Sequence, residues 1–175
     1  MPDDTDGVSV VADTGQTVTT ETNCFGCAPK NPIGLRLVFQ ERGRGLTTRV
    51  RLGDDYESFP GIVHGGIVAT ILDEILAQTV YRSGQVSAVT TALRVRYGRS
   101  MHTDTEYHAS SEIVRADATS VRVAGRLELP GGDLVAAADG TFFLLTDDVL
   151  DQYDHFPARF TEALRDANRP LRQRT

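Results

Sequence analysis

A histidine, two glycines and an aspartate in one short stretch of this sequence are residues that can do chemistry together. The stretch is His64-Gly65-Gly66, and Asp73 follows nine residues after the histidine. Glycines at the start of a helix leave the first backbone N–H groups uncovered, and those groups lack partners within the helix. The helix dipole adds partial positive charge, so this end can hold an anion or a carbonyl oxygen that gains negative charge. The alternative interpretation is that the glycines only permit close packing of the backbone.

A helix must follow these glycines to position the aspartate. Apolar residues recur with helical spacing after Gly66, which predicts one long helix that ends near Tyr81. Its apolar stripe comprises Ile67, Val68, Ile71, Leu72, Ile75, Leu76, Thr79 and Val80. This helix should be the central element of the domain.

Asp73 points away from the Ile/Leu stripe of that helix. The residues that share its side are mostly small: Gly66, Ala69, Thr70, Ala77 and Val80. Another backbone or a second subunit can approach such a side closely, and covering a carboxylate is costly unless it is hydrogen-bonded or used. Asp73 is therefore the candidate catalytic carboxylate. Glu74 points elsewhere, beside Gln78, and is the weaker candidate.

Two cysteines, Cys24 and Cys27, form a Cys-x-x-Cys pair. Such a pair supplies two of the four ligands of structural zinc, and the histidines offer no obvious companion pair in the sequence. A redox pair would need a βαβ context, whereas this one precedes an expected strand. Zinc and redox roles stay open, but we expect a tight structural turn, with no metal and no cofactor.

Patterns typical of strands lie on both sides of the helix and predict an α+β fold. They cover residues 35–39, 46–52, 88–97, 106–116, 119–129 and 134–145. Turn sequences at Gly43-Arg44-Gly45 and at residues 130–133 predict hairpins, so the sheet should be a mainly antiparallel meander with the helix against its concave side. A short amphipathic helix is expected over residues 156–168.

Composition limits the classes of function. The 175 residues fit one domain, and the net charge of -6 disfavours general nucleic-acid binding. The sequence contains no apolar run long enough to cross a membrane and no secretory signal, so we expect a cytoplasmic protein without a membrane partner. We expect a mobile acidic tail over residues 1–22, one domain over 23–150, and a C-terminal extension with a short helix over 151–175.

The combined motifs resemble the hotdog-fold acyl-CoA thioesterases of the 4-hydroxybenzoyl-CoA and phenylacetate-pathway type. The matching features are Cys24-Phe-Gly-Cys27, Asn31-Pro32-x-Gly34-Leu35, His64-Gly65-Gly66 with Asp73, Thr90, the strand that ends in Tyr97, and residues 134–142. The likeness covers roughly residues 23–146. It implies an antiparallel sheet wrapped around one long helix, and a homodimer or dimer of dimers with active sites at the subunit interface.

The resemblance also implies roles for individual residues. The family's carboxylate falls on Asp73, its oxyanion-hole amide on Gly65 or Gly66, and its water-assisting hydroxyl near Thr90. His64 either holds the loop or takes part in catalysis. Phe59 is expected to line the acyl pocket.

Three arginines complete the candidate substrate contacts. Arg94, Arg96 and Arg99 can meet CoA phosphates, because guanidinium binds phosphate well. Outward strand positions also carry arginine without any ligand, and Arg99, at the strand end, is the best candidate of the three.

The implied activity is hydrolysis of an acyl-CoA thioester to the acid and CoA. Two routes stay open, because Asp73 can activate water or attack the carbonyl directly. A non-catalytic acyl-CoA-binding protein is the alternative function, and a hydratase on the same fold is a weaker one. The sequence has no Gly-x-Ser-x-Gly elbow, which disfavours a serine hydrolase. The acyl group cannot be predicted from the sequence.

Overall fold

A computed structural model describes residues 23–84, 87–152 and 158–168 of the chain. The expected acidic tail over residues 1–22 lies outside the described residues, as do residues 156–157 at the start of the expected C-terminal helix.

One long helix, α1 (Gly65–Gly84), occupies the centre of the fold. Its fully buried residues are Val68, Ile71, Leu72, Ile75, Leu76, Thr79 and Val80. This confirms the expected stripe, except that Ile67 at its start is only half-buried. The helix also continues past its expected end near Tyr81 to Gly84. Burial of that stripe against the sheet, rather than helix propensity alone, stabilises the helix.

Six strands form one antiparallel sheet against this helix. The strands of the fold are β1 (Gln40–Arg42), β2 (Gly45–Val50), β3 (Glu57–Phe59), β4 (Ile62–Val63), β5 (Ala88–Tyr97), β6 (Tyr107–Ala116), β7 (Ser120–Glu128) and β8 (Leu134–Leu144). The order in the large sheet is β1-β2-β6-β7-β8-β5, and β3 and β4 form a separate two-stranded hairpin. Helix α1 contacts β2 and all four long strands, so the sheet wraps the helix as expected.

Two glycines bring the sheet close to the helix. A Cβ atom at Gly125 on β7 would lie 2.8 Å from Leu76 Cδ2, and one at Gly140 on β8 would lie 3.0 Å from Leu76 Cδ1. The first separation is shorter than Cβ contacts in proteins, and the second lies at the tight end of their range. Leu76, which is fully buried, therefore fills space that these glycines leave open.

Three features of the strand prediction were wrong. Residues 35–39 are extended with alternating burial but form no strand, because the N–H groups of Leu35 and Leu37 bond to the carbonyls of Phe25 and Gly26, and Arg36 has a positive φ of 51°. Residues 53–60, for which no strand was expected, contain a 3-10 turn and β3. The four long strands are not a simple meander, because β5 crosses over to pair with β8 at the edge of the sheet.

Two shorter helices follow the sheet, α2 (Asp147–Gln152) and α3 (Ala158–Asn168). The second confirms the expected C-terminal helix, whereas α2 was not predicted. An ion pair between Asp151 and Arg165 links the two. In the part of the chain that the structure describes, no helix combines the length and apolar character that crossing a bilayer requires.

Candidate active site

The side chain of His64 caps the start of α1. Its Nδ1 accepts a hydrogen bond of 2.9 Å from the Gly66 N–H, and its carbonyl oxygen accepts bonds from the N–H groups of Ile67 and Val68. This geometry requires an unprotonated Nδ1, so the neutral ring carries its proton on Nε2. Within the described residues, the Gly65 N–H has no acceptor. Of the two glycine amides, that of Gly65 is therefore the one available to a further acceptor.

Tyr97, the last residue of β5, holds Gly65 from its carbonyl side. The Tyr97 hydroxyl donates a bond of 2.9 Å to the Gly65 carbonyl oxygen, and the tyrosine ring lies beside the glycine Cα. The sequence prediction did not include Tyr97 among the site residues. The sequence pattern did indicate its direction, because Leu93, Val95 and Tyr97 alternate along β5. Leu93 and Val95 pack against the core, so Tyr97 lies on the same face of the strand.

Asp73 lies half-buried on α1 and faces Thr90 of β5. The Thr90 hydroxyl donates a bond of 3.0 Å to Asp73 Oδ1. Burial raises the pKa of Asp73 above its ordinary value, the Thr90 bond opposes that shift, and the charge of Glu74 adds to it. Both threonine and carboxylate are open to one side, so this pair is a candidate site for activating water.

A β-bulge turns Thr90 toward the helix. The pairing of β5 with β8 shifts by one residue between Thr90 and Ala92, so that Thr91 is the extra residue. Without the bulge, strict alternation from the core-facing Leu93 would place Thr90 on the outer face with Arg94. Because of the bulge, Ala88 and Thr90 share the helix-facing side with Leu93.

The structure forms two separate groups from the predicted catalytic residues. His64, Gly65 and Gly66 meet Tyr97 at the start of α1, whereas Asp73 meets Thr90 further along it. Asp73 lies eight positions after Gly65, a rise of about 12 Å at 1.5 Å per residue. Within one chain, the two groups are therefore too far apart to contact one carbonyl carbon.

The candidate substrate contacts lie at the surface. Phe59 on β3 is 71% exposed, so its ring is free to meet a ligand or a second chain. Arg94 is exposed, Arg96 pairs with Asp139 at 2.8 Å, and Arg99 pairs with Asp133 at 3.2 Å. Both ion pairs are solvent-exposed and contribute little to stability, so either arginine can exchange its partner for a phosphate.

Glu74, the neighbour of Asp73, contacts the two cysteines on another side of α1. Cys24 Sγ lies 3.6 Å from each Glu74 oxygen, and Gln78 Nε2 lies 3.6 Å from Cys27 Sγ and 3.2 Å from Glu74 Oε1. A hydrogen bond from Cys27 lowers the pKa of Cys24 to about 7, against the opposing effects of burial and Glu74. The pKa of the Cys27 thiol is raised, because that thiol donates the bond and is buried.

A family model described as the thioesterase superfamily matches residues 60–136. A Bacillus halodurans protein, solved with CoA, is 30% identical over 65% of this chain and 76% of its own, with a TM-score of 0.56.

Two further solved structures share the fold. A hypothetical thioesterase from Streptococcus pneumoniae, solved with coenzyme A, is 20% identical over 62% of this chain and 84% of its own, with a TM-score of 0.58. A phenylacetic acid degradation-related protein from Ralstonia eutropha, named as a thioesterase, is 23% identical over 62% and 85%, with a TM-score of 0.57. No curated protein matches the chain.

Proposed function

The chain belongs to the thioesterase superfamily and has its hotdog fold, and from that premise we propose that it is an acyl-CoA thioesterase. The proposed reaction is hydrolysis of acyl-CoA to a free acid and CoA. The Bacillus halodurans and Streptococcus pneumoniae structures, each solved with CoA, support the choice of CoA as carrier.

The half-buried Asp73 carboxylate, bonded to Thr90, is the observation that carries the proposal. One of its oxygens accepts the threonine bond, and the other is left for water or for substrate. A carboxylate placed among small residues and held by one hydroxyl has little structural purpose. It is suited to orienting a water molecule and accepting its proton.

We propose that two chains complete each site. The rise of about 12 Å between Gly65 and Asp73 on α1 prevents one chain from supplying both groups to one thioester. In the part of the chain that the structure describes, β5 pairs only with β8, and its other edge is free over ten residues. A long free edge favours pairing with another chain. The Gly65 amide of one chain then works with the partner's Asp73.

The proposed mechanism divides the work between these groups. As water attacks the thioester carbon, its proton passes to Asp73 and the carbonyl oxygen becomes negative. The Gly65 N–H stabilises that oxygen, a donor worth on the order of 3 kcal/mol of barrier. His64 and Tyr97 fix the amide, one by capping the helix and the other by binding the Gly65 carbonyl. The C–S bond then breaks and CoA leaves as a thiolate.

The same geometry serves a second route for Asp73. Its free oxygen can attack the thioester carbon to give a mixed anhydride, which water then hydrolyses. In either route Thr90 orients the carboxylate and is a positioning residue unless it also contacts the water.

Phe59 and Arg99 are the proposed substrate contacts. The exposed Phe59 ring offers apolar surface to the acyl group, and Arg99 at the end of β5 offers a guanidinium to a CoA phosphate. Arg94 and Arg96, which are also exposed on β5, are the weaker candidates for phosphate contact.

Hydrolysis of a panel of short, long and aromatic acyl-CoAs tests the proposal. The best substrate should reach a kcat/KM on the order of 10⁴ M⁻¹ s⁻¹ or more. Released CoA should be quantified by chromatography, because Cys24 and Cys27 would themselves consume a thiol reagent. Light scattering should give a multiple of the chain mass. Tight CoA binding without hydrolysis of any panel member would instead identify a non-catalytic acyl-CoA-binding protein.

A further inference from the structure

The cluster of Cys24, Cys27 and Glu74 has no part in the proposed hydrolysis. One ligand-type atom from each of the three residues lies within 4.8 Å of the other two. Cys27 is buried, and the other two side chains are half-buried. Glu74 is 50 residues away from Cys24 in the sequence, so the fold, not a local motif, brings the carboxylate to the cysteine pair.

This cluster combines groups that carry or can acquire negative charge, and the described residues provide no ion pair to its carboxylate. The bonds that reach its carboxylate come from the neutral Gln78 amide and the Cys24 thiol. A half-buried carboxylate beside two thiols, with no positive partner, is electrostatically costly unless a cation neutralises it.

The separations match those between the ligands of a tetrahedral zinc ion. Zinc bonds of about 2.3 Å to sulfur and about 2.1 Å to oxygen, at tetrahedral angles, hold the two ligand atoms about 3.6 Å apart. Cys24 Sγ lies 3.6 Å from each oxygen of Glu74. Cys27 lies close enough to complete the set with a small movement of its side chain.

The loop that carries the cysteines is built around the carboxylate. A Cβ atom on Gly26, between the two cysteines, would lie 2.4 Å from the Glu74 carboxyl carbon, so a larger residue there would displace the Glu74 side chain from the cysteines. The buried Asn31 amide donates to the carbonyls of Asn23 and Cys24 and fixes the start of the loop. The donor set is therefore largely ordered before any ion arrives.

We propose that Cys24, Cys27 and Glu74 bind one zinc ion, with water as the fourth ligand. Thiolates select zinc over magnesium and calcium, which prefer oxygen ligands, and a carboxylate is an accepted third ligand. Binding releases the protons of both thiols. The ion joins the strandless segment of residues 23–39 to α1, so its binding should stabilise the fold. The sequence led us to expect no metal because a Cys-x-x-Cys pair supplies two ligands, and the third comes from α1.

Metal titration of the whole chain tests this site without reference to activity. The reduced protein is stripped with a chelator, dialysed, and titrated with Zn²⁺ against a chromophoric competitor. We expect one zinc per chain, and a melting temperature about 5 °C or more higher when zinc exceeds its Kd 100-fold. Co²⁺ should give tetrahedral visible bands and a thiolate charge-transfer band. Absence of stoichiometric zinc, or a six-coordinate cobalt spectrum, overturns the proposal.

Three variants separate this site from adventitious binding. Cys24→Ser should weaken zinc binding at least about 100-fold and Glu74→Gln at least about 10-fold, and both positions are only half-buried, so the fold should survive. Glu112→Gln, an exposed carboxylate on β6, is the matched control and should bind zinc as wild type does. Equal zinc affinity in Glu74→Gln and wild type overturns the proposal. A Cys24–Cys27 disulfide that persists in cytosolic concentrations of glutathione also overturns it.

Discussion

Asp73 and Glu74 are adjacent acids on one helix, and the fold gives them opposite surroundings. Asp73 faces the bulge of β5 and has one hydroxyl bonded to it. Glu74 faces the cysteine loop and contacts Cys24 and Gln78. The two side chains differ by one methylene and about 100° around the helix axis. We therefore propose different roles for them because different elements pack against each side of α1, not because the residues themselves differ.

The number of hydrogen-bond partners separates Asp73, the acid proposed to react, from Glu74, the acid proposed to bind a metal. Burial raises the pKa of Asp73, and the single bond from Thr90 opposes that rise. That bond engages one carboxylate oxygen and leaves the other for the proposed chemistry. Glu74 is packed against the loop at Gly26 and held by Gln78, so little of it is left to meet a substrate. Sites of chemistry commonly have this kind of incomplete satisfaction, which costs stability and is useful in catalysis.

The largest effect that this comparison predicts is loss of turnover in Asp73→Asn. The amide cannot accept a proton from water or attack a thioester, so kcat should fall at least about 100-fold on the best acyl-CoA. Stability should stay equal or rise, because a half-buried charge is removed. Steady-state kinetics and thermal melting, with light scattering to confirm the oligomer, measure both.

Glu74→Gln is the matched comparison for that variant. It removes the same charge from the next residue, and its main effect should be a lower melting temperature in the presence of zinc. The contrast between the two acids would be wrong if Asp73→Asn kept near wild-type turnover, or if it lost zinc-dependent stability as Glu74→Gln does.

A smaller effect is expected from a substitution at Thr90, the residue that the bulge of β5 turns toward the helix. Thr90→Val keeps the shape of the side chain but removes the bond to Asp73 Oδ1, so kcat should fall about 10-fold. Thr91→Val is the control, because the Thr91 hydroxyl donates to the Thr141 carbonyl instead of the helix. Steady-state kinetics of both variants compare two neighbouring threonines whose hydroxyl groups bond to different partners. Equal losses in the two would contradict a specific role for the Thr90 bond.

The sequence predicted the elements whose pattern is regular. The apolar stripe of α1 and the alternation in β5 through β8 come from burial on one side, which periodicity reports directly. The strand prediction for residues 35–39 failed because alternating burial also occurs in a chain that bonds to a loop. The positive φ of Arg36 interrupts any ladder there, and no residue pattern announced it.

The candidate site was predictable only in part, for a related reason. Asp73 and the glycines stand in a recognisable motif, but the direction of Thr90 depends on a bulge, which changes the face of every residue before it. Alternation alone would have placed Thr90 with Arg94 on the outer face. Glu74 and Cys24 are 50 positions apart in the sequence, so their contact could not be predicted from residue spacing.

The smallest effects are expected from substitutions of the exposed arginines near the end of β5. Arg96 and Arg99 lie near the same end of β5, and each pairs with an exposed aspartate. If Arg99 binds a CoA phosphate, Arg99→Ala should raise KM about 2- to 5-fold with kcat unchanged, since a solvent-exposed ion pair is worth under about 1 kcal/mol. Arg96→Ala should raise KM less, and KM measured across several acyl-CoAs compares them. An unchanged KM in Arg99→Ala for every CoA substrate would exclude Arg99 from the site and leave the phosphates to groups on the partner chain.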